Sequence, residues 1–243
     1  MSIGLASAQL AAPQPPPYQW PRSHDYDVEH YRIAVSFDIV GKSLTGETTI
    51  TLHPYKDNFK EVELDAGKMK IESVKLAAGS DLKYRYEKEE KLYVELGRPY
   101  KAGEDISIVV KYSANPKQGV AYIVPTESDP SRPYQIWTQG QPDTNHYWFP
   151  CYDYPNDRAT SETIVTVDEK YQVISNGDLI SVKPAANKKK TWHWKMDRAY
   201  ASYLVSVVVG EFDEVKDSYK GKPVISYVPK GQTENGKLSF SSL

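Results

Sequence analysis

From Tyr26 to Leu52 apolar and polar side chains alternate with a period of two. Tyr31, Ile33, Val35, Phe37 and Ile39 are interleaved with Arg32, Ser36 and Asp38; after a Gly41-Lys42 turn, Leu44, Thr48, Ile50 and Leu52 continue one face. Successive strand side chains point to opposite sides, so this spacing predicts a long half-buried hairpin that no helix packing can use. The same signal recurs. Val62 and Leu64 mark a short strand, and Met69, Ile71, Val74 and Leu76 another. Leu82, Tyr84 and Tyr86 pair with Leu92, Val94 and Leu96 across a Glu87-Lys88-Glu89-Glu90 tip, and Ile106, Ile108, Val110 and Tyr112 follow.

The second half continues in kind. Thr163 to Val167 reads as a strand, and Tyr171 to Ser175 as one leading into an Asn176-Gly177 hairpin turn. Tyr203 to Val209 is nearly all apolar, which predicts a strand buried on both faces. No long amphipathic helix competes with these strands. The fold class is all-β: two packed antiparallel sheets, or one large curved sheet.

Composition removes several functions. With 243 residues and a net charge of −2, the chain has no field to draw nucleic acid or anionic lipid. Its one cysteine excludes an intrachain disulfide. No apolar run approaches the roughly 20 residues of a membrane span. Lys188-Lys189-Lys190 reads as a solvated hairpin tip. Trp192 and Trp194 flank His193, so one strand face carries two indoles, for packing or for stacking on sugars. Residues 1–24 read as a Pro-rich flexible leader or the remnant of a clipped export signal ending at Ala6-Ser7-Ala8. The first implies a cytoplasmic protein; the second a periplasmic, secreted or envelope one.

Residues 138–157, TQGQPDTNHYWFPCYDYPND, follow neither period. Pro142, Pro150 and Pro155 each lack a donor N–H, so the stretch is a long irregular loop, either a binding surface or a buried plug. Cys151 reads as a small buried hydrophobe, His146 as a structural loop residue, and Asp153 and Asp157 as acceptors for loop backbone N–H groups. No two of the five histidines stand at i, i+4, and there is no H-E-x-x-H, no Gly-rich phosphate loop and no G-x-S-x-G. The residues alone describe a β domain with an unusual loop and no catalytic machinery.

The run Thr138-Gln139-Gly140-Gln141, with Phe149-Pro150-Cys151-Tyr152-Asp153-Tyr154-Pro155 and Arg158-Ala159, resembles the signature loop of the aminopeptidase N-type zinc metallopeptidases. Tyr26-Asp27-Val28 to Tyr31, Ser175-Asn176-Gly177 and Tyr203-Leu204 through Gly210-Glu211-Phe212 fall in the order of that family's further strands. The resemblance implies a saddle-shaped, mostly antiparallel N-terminal domain over residues 25–230, with residues 231–243 the truncated start of a catalytic domain. It implies zinc in the full-length protein and none held by this part, which alone is expected to be inactive. The partners implied are the catalytic domain of the same polypeptide and peptides with a free N-terminus.

In the resemblance Gln139 lines the pocket for the substrate's first side chain, and Gln141 stands where the family has a Glu that holds the α-ammonium. Pro150, Cys151, Asp153 and Pro155 brace the loop. Tyr147, Trp148, Phe149 and Tyr152 are expected near apolar surface bared for that neighbour. Gln141 is neutral, and Asn145-His146 replaces an Ala-Arg pair, so a non-catalytic scaffold of the same architecture stays open. So does a free-standing glycan-binding module built on Trp192 and Trp194.

Overall fold

The structure, a computed structural model, describes residues 24–240; residues 1–23, which hold all but the last residue of the expected leader, and residues 241–243 lie outside it. The first hairpin pairs β1 (Tyr26–Asp38) with β2 (Ser43–Pro54). There follow β3 (Phe59–Asp65), β4 (Met69–Leu76), β5 (Lys83–Glu87), β6 (Lys91–Tyr100) and β7 (Ile106–Ala114). Two short strands, β8 (Val120–Ile123) and β9 (Gln135–Thr138), precede the irregular loop. Beyond it come β10 (Ala159–Asp168), β11 (Gln172–Ser175), β12 (Asp178–Ala185), β13 (Lys189–Tyr200) and β14 (Val207–Gly210). The described chain closes with β15 (Phe212–Tyr219), β16 (Lys222–Pro229) and one helix, α1 (Thr233–Phe240).

Four sheets result. The largest has the order β12-β13-β10-β1-β2-β7-β4; the others are β11-β14-β9-β8, β3-β6-β5 and the β15-β16 hairpin. All pairings are antiparallel except β1 with β10, which run parallel from His30↔Thr160 to Ser36↔Thr166. The fold is the mostly antiparallel all-β architecture that the alternation implies. Ile33, Ile50, Ile108 and Val165 on the inner face of the large sheet share one buried cluster with Val62, Leu92 and Val94 of the three-stranded sheet and Ile136, Val207 and Val209 of the four-stranded one. Ile71 and Val74 break strict alternation because a bulge lies between Ile71 and Ser73.

Two expectations fail in instructive ways. Asn176-Gly177 does not turn a hairpin: β11 pairs with β14 and β12 with β13, so the step carries the chain from one sheet to another. Gly177 is needed there because its φ is +83° and a Cβ would lie 1.9 Å from the Lys195 carbonyl oxygen. Tyr203 to Val209 is not one strand either. A 3-10 turn occupies Ser202–Leu204, the strand is confined to Val207–Gly210, and Leu204 is 48% exposed. Apolar content alone does not separate a strand from a tight apolar turn.

Lys188 does sit at a hairpin tip, with Asn187 and Lys188 both at positive φ between β12 and β13. Trp192 and Trp194 pack half-buried against the core, and the Trp194 indole N–H donates to the Val173 carbonyl at 3.1 Å. Among the described residues no helix is long and apolar enough to cross a membrane.

Candidate functional site

Strand β9 carries the period of two into the loop. Ile136 and Thr138 face inward, while Trp137 (44% exposed) and Gln139 face out. The register is locked on both sides: the Thr138 hydroxyl accepts the Val207 N–H at 2.9 Å, and the Gln139 N–H donates to Gly119 at 2.9 Å. The chain then dives at Gly140, which is buried and has no room for a side chain. A Cβ there would lie 2.4 Å from the Tyr203 carbonyl and 2.5 Å from the Asn145 amide nitrogen.

Gln141, Pro142 and Asp143 return to the surface. The loop closes with Thr144, whose N–H donates to Gly140 at 2.8 Å and whose hydroxyl donates to the Gln139 carbonyl. Two exposed primary amides, Gln139 and Gln141, thus stand on a tight lip. Among the described residues neither side chain hydrogen-bonds within the chain.

Below the lip the loop is solid. Asp153 collects three donors: the His146 N–H at 3.0 Å and Nδ1 at 2.8 Å on one carboxylate oxygen, and the Ser202 hydroxyl at 2.9 Å on the other. Burial pulls the His146 imidazole pKa down, but the Asp153 hydrogen bond and charge, helped by Asp65 and Glu90, more than offset it and hold it above the usual value. Cys151 and Asp65 exchange backbone hydrogen bonds at 2.7 and 3.0 Å, and the Asp153 N–H donates to the Asp65 carboxylate at 2.9 Å. Lys91 pairs with that same carboxylate. Asp157 is buried and accepts the N–H of Val28 at 3.3 Å and of Arg158 at 2.8 Å, which ties the loop's exit to β1. Burial first, then the neighbouring Asp27 carboxylate, pushes the Asp157 pKa up to about 7.

The aromatic residues depart from expectation. Trp148, Phe149 and Tyr152 are fully buried and Tyr147 is half-buried, so they do not form a bared apolar patch. The reason is geometric. Phe149 packs edge-on against Tyr31 with centroids 5.7 Å apart, and the Tyr152 N–H donates to the Tyr31 hydroxyl at 3.0 Å. The Trp148 indole is buried without penalty because its N–H reaches the Asn145 side-chain amide oxygen at 2.7 Å. The loop is a plug at its base and a lip at its rim. Of the expected brace, Pro150, Cys151 and Asp153 are buried and Pro155 is exposed.

Sequence reading noted Asn145 only as a departure from the family pattern and missed Asp65 and Ser202; most of their partners are remote in the chain. It also took Asn176 for a turn residue only, although its side chain accepts the Ser206 N–H at 2.7 Å and donates to Leu204 at 3.1 Å. A possible metal-ligand set, Asp27, Glu29 and His53, lies on the first hairpin with one donor atom each within 4.8 Å of the others. Its imidazole already faces Glu29 through Nδ1 (3.1 Å) and Asp27 through Nε2 (3.6 Å).

Fold and loop together define a β domain that presents a rigid polar lip. The family described as Peptidase M1 N-terminal domain matches residues 27–204, and this chain belongs to that family. "Probable aminopeptidase 1" of Sulfurisphaera tokodaii is 29% identical over 211 residues, covering 86% of this chain and 25% of that protein. Transcription initiation factor TFIID subunit 2 of Gallus gallus is 31% identical over 107 residues, 43% of this chain and 9% of that protein. The crystal structure of an M1 zinc metallopeptidase from Deinococcus radiodurans superposes with a TM-score of 0.69 at 20% identity, over 87% of this chain and 51% of that one. The chain spans about a quarter of the length of the aminopeptidases it matches.

Proposed function

We propose that this chain is the N-terminal domain, residues 25–230, of a zinc-dependent aminopeptidase that removes N-terminal residues from peptides. Its lip lines the substrate pocket of a catalytic domain in the same polypeptide. The observation that carries the reading is the contrast within one loop: a base with its donors and acceptors paired, and a rim with two exposed amides. Binding residues on a loop need such a rigid support to act at a fixed place.

These residues do not fit a catalytic zinc. The sequence lacks H-E-x-x-H, and the Asp27, Glu29 and His53 set has both imidazole nitrogens turned to carboxylates. No step of hydrolysis is assigned to this chain, and residues 1–243 alone are expected to release no amino acid from aminoacyl-nitroanilides. Their task is binding. Gln139 forms a wall for the substrate's first side chain, and the Gln141 amide oxygen accepts a hydrogen bond from the α-ammonium. An ammonium leaving water needs such acceptors because the loss of hydration is costly.

Because the ammonium is charged, its bond to the Gln141 amide oxygen is already charge-assisted, worth roughly 1.5–3 kcal/mol. A carboxylate at 141 adds charge–charge attraction, partly offset by its own desolvation, and should hold the amine about 1 kcal/mol more tightly. The ammonium persists from ground state to transition state, so the gain falls on KM rather than kcat. In the full-length polypeptide Gln141→Glu is therefore expected to lower KM for free-amine substrates several-fold, and Gln139→Ala to change preference among first side chains. KM unchanged by Gln141→Glu across several aminoacyl substrates would remove the anchoring role.

Two observations weigh against the alternatives. Similarity to the TFIID subunit covers 43% of this chain against 86% for the aminopeptidase, which supports the peptidase over the scaffold. Trp192 and Trp194 are packed on the core, which supports structural indoles over a sugar platform.

A further inference from the structure

Asn145 is fully buried and makes three side-chain hydrogen bonds. Its amide nitrogen donates to the carbonyls of Ser202 (2.6 Å) and Val205 (3.0 Å), and its oxygen accepts the Trp148 indole N–H at 2.7 Å. Ser202 opens the 3-10 turn and Val205 caps it; the Ser202 carbonyl also accepts the turn's own Val205 N–H at 3.0 Å, so Asn145 is its second donor, and the same amide reaches on to the Val205 carbonyl. The same amide nitrogen would lie 2.5 Å from a Cβ at Gly140, so the lip's backbone rests directly on it. The turn is held elsewhere too, by Asn176 at Leu204 and Ser206 and by the Ser175 hydroxyl at the Ser206 carbonyl, 2.7 Å away.

A buried amide offers no gain over an apolar residue of equal volume unless its hydrogen bonds are made, and here three of four are. What the amide adds is direction. It joins the lip to the turn at a second point, besides the bond by which the Thr138 hydroxyl accepts the Val207 N–H.

We infer that Asn145 is the positioning residue of the lip: it pins Gly140, between the two glutamines, to the Ser202–Val205 turn and thereby sets where Gln139 meets a substrate. This rests on the pocket reading above. Asn145→Asp keeps the shape and places carboxylate oxygens against two carbonyls. Trp148→Phe removes the indole donor and part of the ring's volume but leaves both carbonyl bonds in place.

Hydrogen exchange on residues 1–243 tests the coupling without reference to activity. In Asn145→Asp, amides of residues 138–145 and 202–207 should exchange about ten-fold faster together, with the β1–β2 hairpin unchanged. Loosening of only one segment, or of the hairpin equally, overturns the inference. In the full-length polypeptide, Asn145→Asp should shift the ratio of kcat/KM between large and small first side chains by about ten-fold. Trp148→Phe should leave that ratio within about two-fold. A variant that merely unfolds lowers every substrate alike and leaves the ratio fixed, which also overturns the inference. If Gln139→Ala shifts the ratio and Asn145→Asp does not, the positioning role fails and the pocket reading stands; if neither shifts it, both fail.

Discussion

Replacing Asp153 by Asn probes the brace at its centre. The carboxylate takes three donors, from His146 N–H, His146 Nδ1 and the Ser202 hydroxyl, at 2.8 to 3.0 Å. Asn is isosteric, so it leaves no cavity, but it replaces a charged acceptor by a neutral one and turns an NH₂ toward at least one donor. At about 1 kcal/mol lost per bond the cost is about 3 kcal/mol. For a chain of this size that corresponds to a fall of about 6–12 °C in Tm.

The cost must also depend on pH. In the folded wild type the His146 pKa is raised, so the pair's ionic contribution is fully present below the unfolded value and is lost as pH rises through the folded value. In Asp153→Asn the burial that lowers the His146 pKa remains and the charge that raised it is gone. The stability gap should therefore be largest near about pH 5.5 and shrink toward about pH 8.5. Urea titration of both proteins at the two pH values measures it. An equal gap at both, or a gap below about 1 kcal/mol at the lower pH, would refute the view that a buried charge organises this loop.

Asp157 should show the same direction of pH dependence for a different reason, a carboxyl held protonated rather than an imidazole held charged. Its folded pKa is raised to about 7, so the native state holds the proton more tightly than the unfolded chain, and wild-type stability falls as pH rises toward that value. The stability of Asp157→Asn relative to wild type should improve between about pH 5 and about pH 8, and a pH-independent difference by urea titration would show the carboxyl is not perturbed. Trp194→Ala should cost about 2–3 kcal/mol, given a half-buried ring that also donates to Val173, with no change in binding to glycan arrays. Loss of glycan binding at unchanged Tm would restore the sugar-platform reading.

The fold was legible where burial is one-sided. Tyr31 to Ile39 and Leu44 to Leu52 alternate because one face meets the core, and the register follows from that alternation. It was not legible at Asn176-Gly177, where the dipeptide satisfies a hairpin rule that the surrounding sheets override. The loop was recognisable as special through its prolines and broken period, and its buried Cys151 and Asp153 follow from the low cost of burying a thiol or a satisfied carboxylate. Its depth was not recognisable. Whether Trp148 is exposed depends on finding an acceptor, and that acceptor, Asn145, is itself held by carbonyls at 202 and 205 that no local pattern brings near.

The central claim is that the lip touches the first residue of a peptide. A photoreactive side chain placed at position 139 in the full-length polypeptide tests it most directly, with a labelled peptide offered as its free amine and as its N-acetyl form. The account predicts that the free-amine peptide is captured through its first residue and that acetylation reduces capture several-fold. Capture at an interior residue, or equal capture of the acetylated peptide, would contradict it.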